Sequence, residues 1–215
     1  GRRLYTFRIE QQKFWLKFHE PNIHKGLEQA FQRELEFYQE NEKIHSNLLL
    51  PYQVVQFDQN RAFQSIVDQG QGLILLDVEP FFTDISQLKS LEAIQQKIIT
   101  ALDSLNELHQ LGWIHGDLKP EHFRQMDNAC KLIDFEQSFK LQSPILEMNA
   151  TPHYMAPELF HGQSKSVQSD LYTFGIILYE WMTQTKLHAN SYRDWGVLHC
   201  QQLEMQFPKQ LNYFL

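Results

Sequence analysis

The sequence predicts an α+β fold in two parts, a small antiparallel sheet with one helix followed by a mainly helical part. Up to residue 78, short apolar runs alternate with turn-forming residues around one segment of helical period. From Leu91 onward, apolar residues instead recur at three- and four-residue spacing over long segments. We therefore expect two lobes, residues 1–78 and 79–215.

In the first lobe, the aromatic and apolar runs at 4–9 and 13–18 flank a polar turn and predict a β-hairpin. Three more runs predict three more strands, at 52–57, 62–67 and 73–78, with turn-forming residues between them.

Residues 27–42 predict an amphipathic helix. Glu34 falls within its apolar face, and burying a carboxylate is costly unless a cation pairs with it. Two interpretations stay open: Glu34 meets a cation in the interior, or it lies at the edge of the face and reaches solvent. The apolar positions of this face are Leu27, Phe31, Leu35 and Tyr38.

In the second lobe, residues 91–112 predict a long amphipathic helix with Ile94, Ala101, Leu102 and Leu105 on its apolar side. A small hairpin is expected around the turn at 127–129, and residues 137–155 have the composition of a loop. Residues 168–184 predict a buried helix, and 185–215 give weak helical signals. The tail stops on the apolar residues LNYFL, so we expect a chain that is cut short.

The composition is that of a globular protein and excludes several functional classes. Hydrophobic residues make up 42% of the 215 residues, enough for a sizeable core. The net charge of −7, without a basic stripe, argues against a nucleic-acid partner. Cys130 and Cys200 lack disulfide or zinc spacing, and no apolar run has membrane-spanning length. We therefore expect a cytoplasmic protein with no membrane partner.

Asp117 and Asp134 stand on the two sides of the predicted hairpin, which brings its ends together. Two carboxylates with Lys119 beside them suit a site for Mg²⁺ and phosphate. The alternative is that both aspartates are ordinary turn residues, which are common in loops.

Taken together and in order, the motifs resemble the eukaryotic-type Ser/Thr protein kinase family. "FWLK" and "RELEFY" resemble the strand and helix that carry the phosphate-binding lysine and its glutamate. "IHGDLKPEH" resembles the catalytic loop, and "KLIDFE" resembles the metal-binding segment. "ATPHYMAPEL" and "SDLYTFGIILYEWMT" resemble the end of the activation segment and the helix that anchors the catalytic loop through Asp170.

The resemblance implies ATP as cofactor with Mg²⁺ or Mn²⁺, and a protein as substrate or binding partner. Lys17, held by Glu34, would orient the phosphates, and Asp134 would bind the metal. The catalytic group would be Asp117 as base, Lys119 as γ-phosphate contact and Thr151 as a brace for the loop.

Several positions depart from the family. The glycine-rich loop is missing, and Trp15 replaces a small residue beside the adenine, on the same strand face as Lys17. Gly116 replaces an Arg that pairs with a phosphorylated activation loop, so we expect no activation by loop phosphorylation. His122 replaces a metal-binding Asn, and imidazole suits Mg²⁺ poorly. Glu136 replaces a Gly and is expected to supply the missing metal oxygen.

Three functions follow from these features. Retention of the lysine, base and metal carboxylate favours a Ser/Thr protein kinase. The departures favour a pseudokinase, a binding module that uses the kinase shape. Gly116 and the N-terminal strands favour a small-molecule or sugar kinase, which the segment "TPHYMAPE" opposes because such kinases lack it.

Overall fold

The computed structural model describes residues 1–20, 22–42, 48–58, 70–143 and 150–203. An antiparallel sheet with one helix precedes a mainly helical part, which confirms the predicted α+β class. Among the helices of these described residues, none has the length and apolar character needed to cross a bilayer.

The sheet of the first lobe has four described strands in the order β1-β2-β4-β3, all antiparallel to their neighbours. The predicted hairpin and the strands near 52–57 and 73–78 are confirmed, whereas the strand predicted at 62–67 lies outside the described residues. The four strands are β1 (Arg2–Ile9), β2 (Gln12–His19), β3 (Tyr52–Gln56) and β4 (Gln71–Leu76).

One helix, α1 (Lys25–Glu40), packs against this sheet. It begins at His24, whose Nδ1 accepts a hydrogen bond from the backbone N–H of Leu27. Its apolar face is buried from Ala30 onward, but Leu27 is 39% exposed. Leu27 lies on the predicted apolar face but is exposed, because the buried surface begins after the first turn.

The second lobe confirms the predicted long helices and the small hairpin. Leu102, predicted on the buried side of the long helix, is instead exposed, because Ala101 and Leu105 point to the core. Residues 137–155, predicted as loop, contain a two-residue strand that pairs with the two-residue strand at 113–114. The elements are α2 (Leu91–Gln110), β5 (Trp113–Ile114), β6 (Phe123–Met126), β7 (Ala129–Leu132), β8 (Phe139–Lys140), α3 (Pro157–Phe160), α4 (Val167–Thr183) and α5 (Tyr192–Val197).

One hydrophobic core continues from the first lobe into the second, and aromatic rings join the two parts. The ring of Phe135 stacks on Phe37 with centroids 3.8 Å apart. It also meets Tyr38 edge-on at 5.6 Å and His115 at 5.3 Å. Phe135 therefore contacts both Tyr38 and His115, and these contacts place the residue after Asp134 in the centre of the molecule.

Candidate active site

Lys17 lies on the cleft-facing side of β2, opposite Leu73 of β4. Its Nζ is 2.6 Å from Glu34 Oε2, 2.7 Å from Asp134 Oδ1 and 2.8 Å from Glu136 Oε1. Glu34 is fully buried. Of the two interpretations of Glu34, the structure supports the interior carboxylate that pairs with a cation, and the solvent-exposed alternative is wrong.

Three carboxylates share this single ammonium group. Burial lowers the pKa of Lys17, but the charges of Glu34, Asp134 and Glu136 outweigh burial and raise it above its ordinary value. Burial raises the pKa of Glu34 to about 7, although Lys17 opposes the rise. The site is therefore rich in negative charge, and its most buried acid holds a proton most readily.

Arg2 of β1 adds a second cation that sequence analysis missed. Its guanidinium lies 3.4 Å from Asp134 Oδ1 and 3.5 Å from Glu136 Oε1, while its side chain is 39% exposed. Because solvent screens so exposed a charge, Arg2 compensates the carboxylates only in part.

Asp134 follows β7 and has left-handed backbone angles, with φ of 67° and ψ of 63°. The next residue, Phe135, donates its backbone N–H to Glu34 Oε1 at 3.0 Å. His122 Nε2 lies 3.2 Å from Asp134 Oδ2. Burial would raise the pKa of Asp134, but Lys17 and His122 hold it well below its usual value. Asp134 is therefore ionised throughout the physiological range.

The donor set fits a hard divalent cation. Oxygens of Glu34, Asp134 and Glu136 lie within 4.8 Å of one another. Lys17 contacts all three carboxylates, but Glu34 is fully buried, whereas the side chains of Asp134 and Glu136 are 24% and 10% exposed, so these two are the carboxylates accessible to Mg²⁺. Glu136 Oε1 is buried without a directed hydrogen bond among the described residues, although Lys17 is close to it. The predicted ligand His122 instead contacts a carboxylate oxygen, so its role as a ligand stays a prediction.

The candidate base Asp117 lies in a second group of residues. Its Oδ1 accepts hydrogen bonds from Thr151 Oγ1 at 2.8 Å and from the Thr151 backbone N–H at 3.1 Å. Its Oδ2 is 3.0 Å from Lys119 Nζ. The structure therefore brings together the three residues predicted as catalytic.

Asp170 of α4 holds the loop that carries Asp117. Its Oδ2 accepts the backbone N–H of His115 at 2.8 Å and lies 3.0 Å from His109 Nε2. Its Oδ1 accepts the backbone N–H of Gly116 at 3.0 Å. Burial lowers the pKa of His115 to about 4, so this histidine is neutral at physiological pH.

A cavity of about 270 Å³ opens between the lobes, with Trp15 and Lys17 in its wall. Arg124 of β6 also lines it and donates a hydrogen bond to the carbonyl of Val78. Asp77 links the two walls: its Oδ2 is 2.7 Å from Lys13 Nζ and its Oδ1 is 3.5 Å from Arg124. Neither Asp77 nor Arg124 belongs to a motif recognised in the sequence. Trp15 thus borders a narrow cavity without filling it.

Comparison with known proteins agrees with this geometry. The protein kinase domain family matches residues 7–212. Aurora kinase B of Danio rerio is 25% identical over 201 residues, covering 88% of this chain and 58% of that protein.

Two relatives match a shorter stretch more closely. The cGMP-dependent protein kinase of Toxoplasma gondii is 38% identical over 80 residues, covering 37% of this chain and 8% of that protein. The serine/threonine-protein kinase RUNKEL of Arabidopsis thaliana is 43% identical over 86 residues, covering 37% of this chain and 6% of that protein. The chain spans less than two thirds of each of these relatives. Because the family match covers nearly the whole chain, this protein belongs to the protein kinase domain family.

Proposed function

We propose that this protein transfers the γ-phosphate of ATP to a Ser or Thr hydroxyl of a protein substrate. The observation that carries this proposal is the interior Lys17–Glu34 pair, 2.6 Å apart, with Asp134 at 2.7 Å from the same Nζ. Positioning of phosphates and neutralisation of their charge supply most of the catalysis in phosphoryl transfer. These residues combine both tasks on one side of the cleft.

Each residue has a definite task in this mechanism. Lys17, oriented by Glu34, directs its ammonium toward the α- and β-phosphates. Asp117, held by Thr151, accepts the proton of the substrate hydroxyl, and Lys119 offers a positive charge to the transferred phosphoryl group. Mg²⁺ held by Asp134, with Glu136 beside it, would neutralise phosphate charge when bound.

A protein substrate is favoured over a sugar or another small molecule by the segment that follows Thr151. Tyr154 of this segment donates its hydroxyl to Glu180 Oε2 of α4 at 3.2 Å. Its carbonyl accepts a hydrogen bond from Thr173 Oγ1 at 2.7 Å. An ordered segment beside the catalytic loop offers a surface on which a polypeptide can dock.

A second candidate, a pseudokinase that binds partners, is favoured by the contacts of Lys17. All three short contacts of its ammonium are made by carboxylates of the protein itself. Trp15 and Arg124 also narrow the opposite end of the cavity. Nucleotide has to compete with these internal contacts in order to enter.

Thermal unfolding with ATP, with and without Mg²⁺ or Mn²⁺, tests nucleotide binding. At about 100-fold excess over Kd, binding adds roughly 2.7 kcal/mol, which is several degrees for a chain of this size. We expect a metal-dependent rise in the unfolding temperature. Asp134→Ala should abolish this rise, and Asp103→Ala, which changes an exposed residue of α2, should retain it. No rise at millimolar ATP would contradict the proposal.

Transfer of labelled phosphate to a Ser/Thr protein substrate separates the two candidates. We expect transfer by the native protein and its loss in Asp117→Asn. A metal-dependent thermal rise without any transfer would instead support the pseudokinase.

A further inference from the structure

Lys165 occupies the space that a side chain at position 116 would need. Gly116 has a φ of 79°, and a Cβ placed on it would lie 2.6 Å from the carbonyl oxygen of Gln137. The same Cβ would lie 3.2 Å from Lys165 Cδ and 3.4 Å from Lys165 Nζ. Position 116 therefore excludes a side chain, and a lysine from outside the loop fills the volume above it.

The ammonium of Lys165 is buried, and two carboxylates interact with it electrostatically. Only 5% of the residue is exposed, and an interior ammonium is costly unless opposite charge compensates it. Burial lowers the pKa of Lys165 to about 8, while Asp117 of the loop and Asp170 of α4 oppose the decrease. Arg33 of α1 is the nearby cation that favours it. Lys165 therefore remains mainly charged at neutral pH.

The two carboxylates near Lys165 have different tasks. Asp170 receives the backbone N–H groups that hold the catalytic loop, and Asp117 is the candidate base on that loop. A cation that interacts with both carboxylates reduces the electrostatic repulsion between them, and Lys165 interacts with both. Lys165 lies directly before Ser166, the N-cap of α4, and therefore just outside the helix that carries Asp170.

We propose that Lys165 is a positioning residue that holds Gly116 and Asp117 in place. Position 116 has no room for a side chain, so Lys165, just before α4, supplies the positive charge at this point of the loop. This inference rests on the proposed phosphotransfer for its catalytic consequence. Its structural consequence, a loop fixed by a buried ammonium, does not depend on activity.

Lys165→Met removes the charge and nearly preserves the length, Lys165→Arg preserves the charge, and Lys89→Met changes an exposed lysine as control. In phosphotransfer assays, we expect Lys165→Met to lower kcat about tenfold to a hundredfold, the range typical of a displaced catalytic group. KM for ATP should stay within about twofold, because Lys165 does not line the nucleotide cavity. Lys165→Arg should restore most of the rate.

The pH profile separates positioning from simple packing. With native Lys165, the rate should fall at alkaline pH with a midpoint near 8, where this ammonium loses its proton. With Lys165→Arg the midpoint should move upward, because the guanidinium stays charged. An unchanged midpoint would overturn the proposal, and this comparison remains valid even where Lys165→Met fails to fold.

Hydrogen exchange over residues 114–120 gives a readout that needs no activity. We expect faster exchange in Lys165→Met than in the native protein, Lys165→Arg and Lys89→Met. If no protein transfers phosphate but exchange changes as expected, the proposed function fails and the inference about Lys165 stands. If the native protein transfers phosphate and Lys165→Met matches it in rate and exchange, the inference is overturned.

Discussion

The two halves of the candidate site differ in how their charges are satisfied. Around the catalytic loop, Asp170 accepts backbone N–H groups and a histidine N–H, and Asp117 accepts the hydroxyl and N–H of Thr151. Around Lys17, three carboxylates face one buried ammonium and the partly exposed Arg2. In the loop half, each carboxylate accepts hydrogen bonds from N–H or O–H donors. In the Lys17 half, the carboxylates outnumber the positively charged groups.

This difference implies different states before ligand arrives. Backbone and side-chain donors fix the loop around Asp117 without any ligand, because a buried acceptor with its donors in place has no reason to move. Added positive charge would stabilise the Lys17 half, and a divalent cation would supply it. The loop half is thus pre-organised, whereas the Lys17 half is short of positive charge.

Asp170→Asn should have the largest effect, because it disrupts the contacts that hold the loop half in place. The amide lacks the charge, and its NH₂ group faces N–H donors, so buried donors lose their acceptor. We expect a loss of about 3–5 kcal/mol in the free energy of unfolding, measured by urea denaturation. Asp103→Asn, an exposed acid on α2, should change it by less than about 0.5 kcal/mol. A loss below about 1 kcal/mol for Asp170→Asn would show that other contacts hold the loop.

His115 makes the loop half sensitive to acid. The unfolded chain binds a proton near the ordinary histidine value of 6.5, whereas the folded protein resists protonation until about pH 4. Protons therefore favour unfolding, and the free energy of unfolding should fall by about 3 kcal/mol as pH decreases from 6.5 to 4. Urea denaturation across this range should show a shallower decrease in His115→Phe, and the native decrease in His188→Phe, which changes an exposed histidine. Equal slopes in all three proteins would contradict this account.

The parts of the site that the sequence predicted are those carried by local patterns. Glu34 was located by helical spacing, whereas Lys17 was located by the resemblance of "FWLK" to a strand of the kinase family. Asp117 and Asp134 were located because a short hairpin brings its ends together, independently of the family resemblance. In each case neighbouring residues in the chain determine the position of the side chain.

Arg2, Arg124 and Lys165 were missed because their contacts join distant parts of the chain. Arg2 reaches Asp134 across 132 positions, and no local pattern records such a pairing. The strand β8 was missed for the same reason, since two residues have no periodicity and only the partner β5 makes them a strand. Leu27 and Leu102 lie on the predicted faces, but the extent of packing, which is tertiary, decides their exposure.

Glu136→Gln tests whether the excess of negative charge around Lys17 limits nucleotide binding, because it removes one of the three carboxylates. We expect ATP to bind about tenfold more tightly without metal, because one carboxylate no longer repels phosphate or occupies the ammonium. With Mg²⁺ the gain should disappear or reverse, because an oxygen ligand has been weakened. Titration calorimetry in chelator and in Mg²⁺ measures both effects.

Glu121→Gln is the matched control, since Glu121 lines the same cavity and forms no ion pair with Lys17 among the described residues. Its ATP affinity should change little in either condition. If Glu136→Gln or Glu136→Gly leaves metal affinity intact, Glu136 is not the oxygen ligand that compensates for His122.

Trp15→Ala tests the far end of the Lys17 half and has the smallest expected effect. The cavity of about 270 Å³ is slightly below the range of about 300–1,000 Å³ typical of small-molecule sites. Removing the indole enlarges it, so we expect ATP affinity to rise about threefold, with Trp15→Phe between the two. The same calorimetric titration would show weaker binding if the indole instead stacks on the base, an interaction worth about 1–3 kcal/mol where it occurs. In that case the indole would already form part of the binding site for the base. The shortage of positive charge around Lys17 would then be the one difference between the Lys17 half and the loop half.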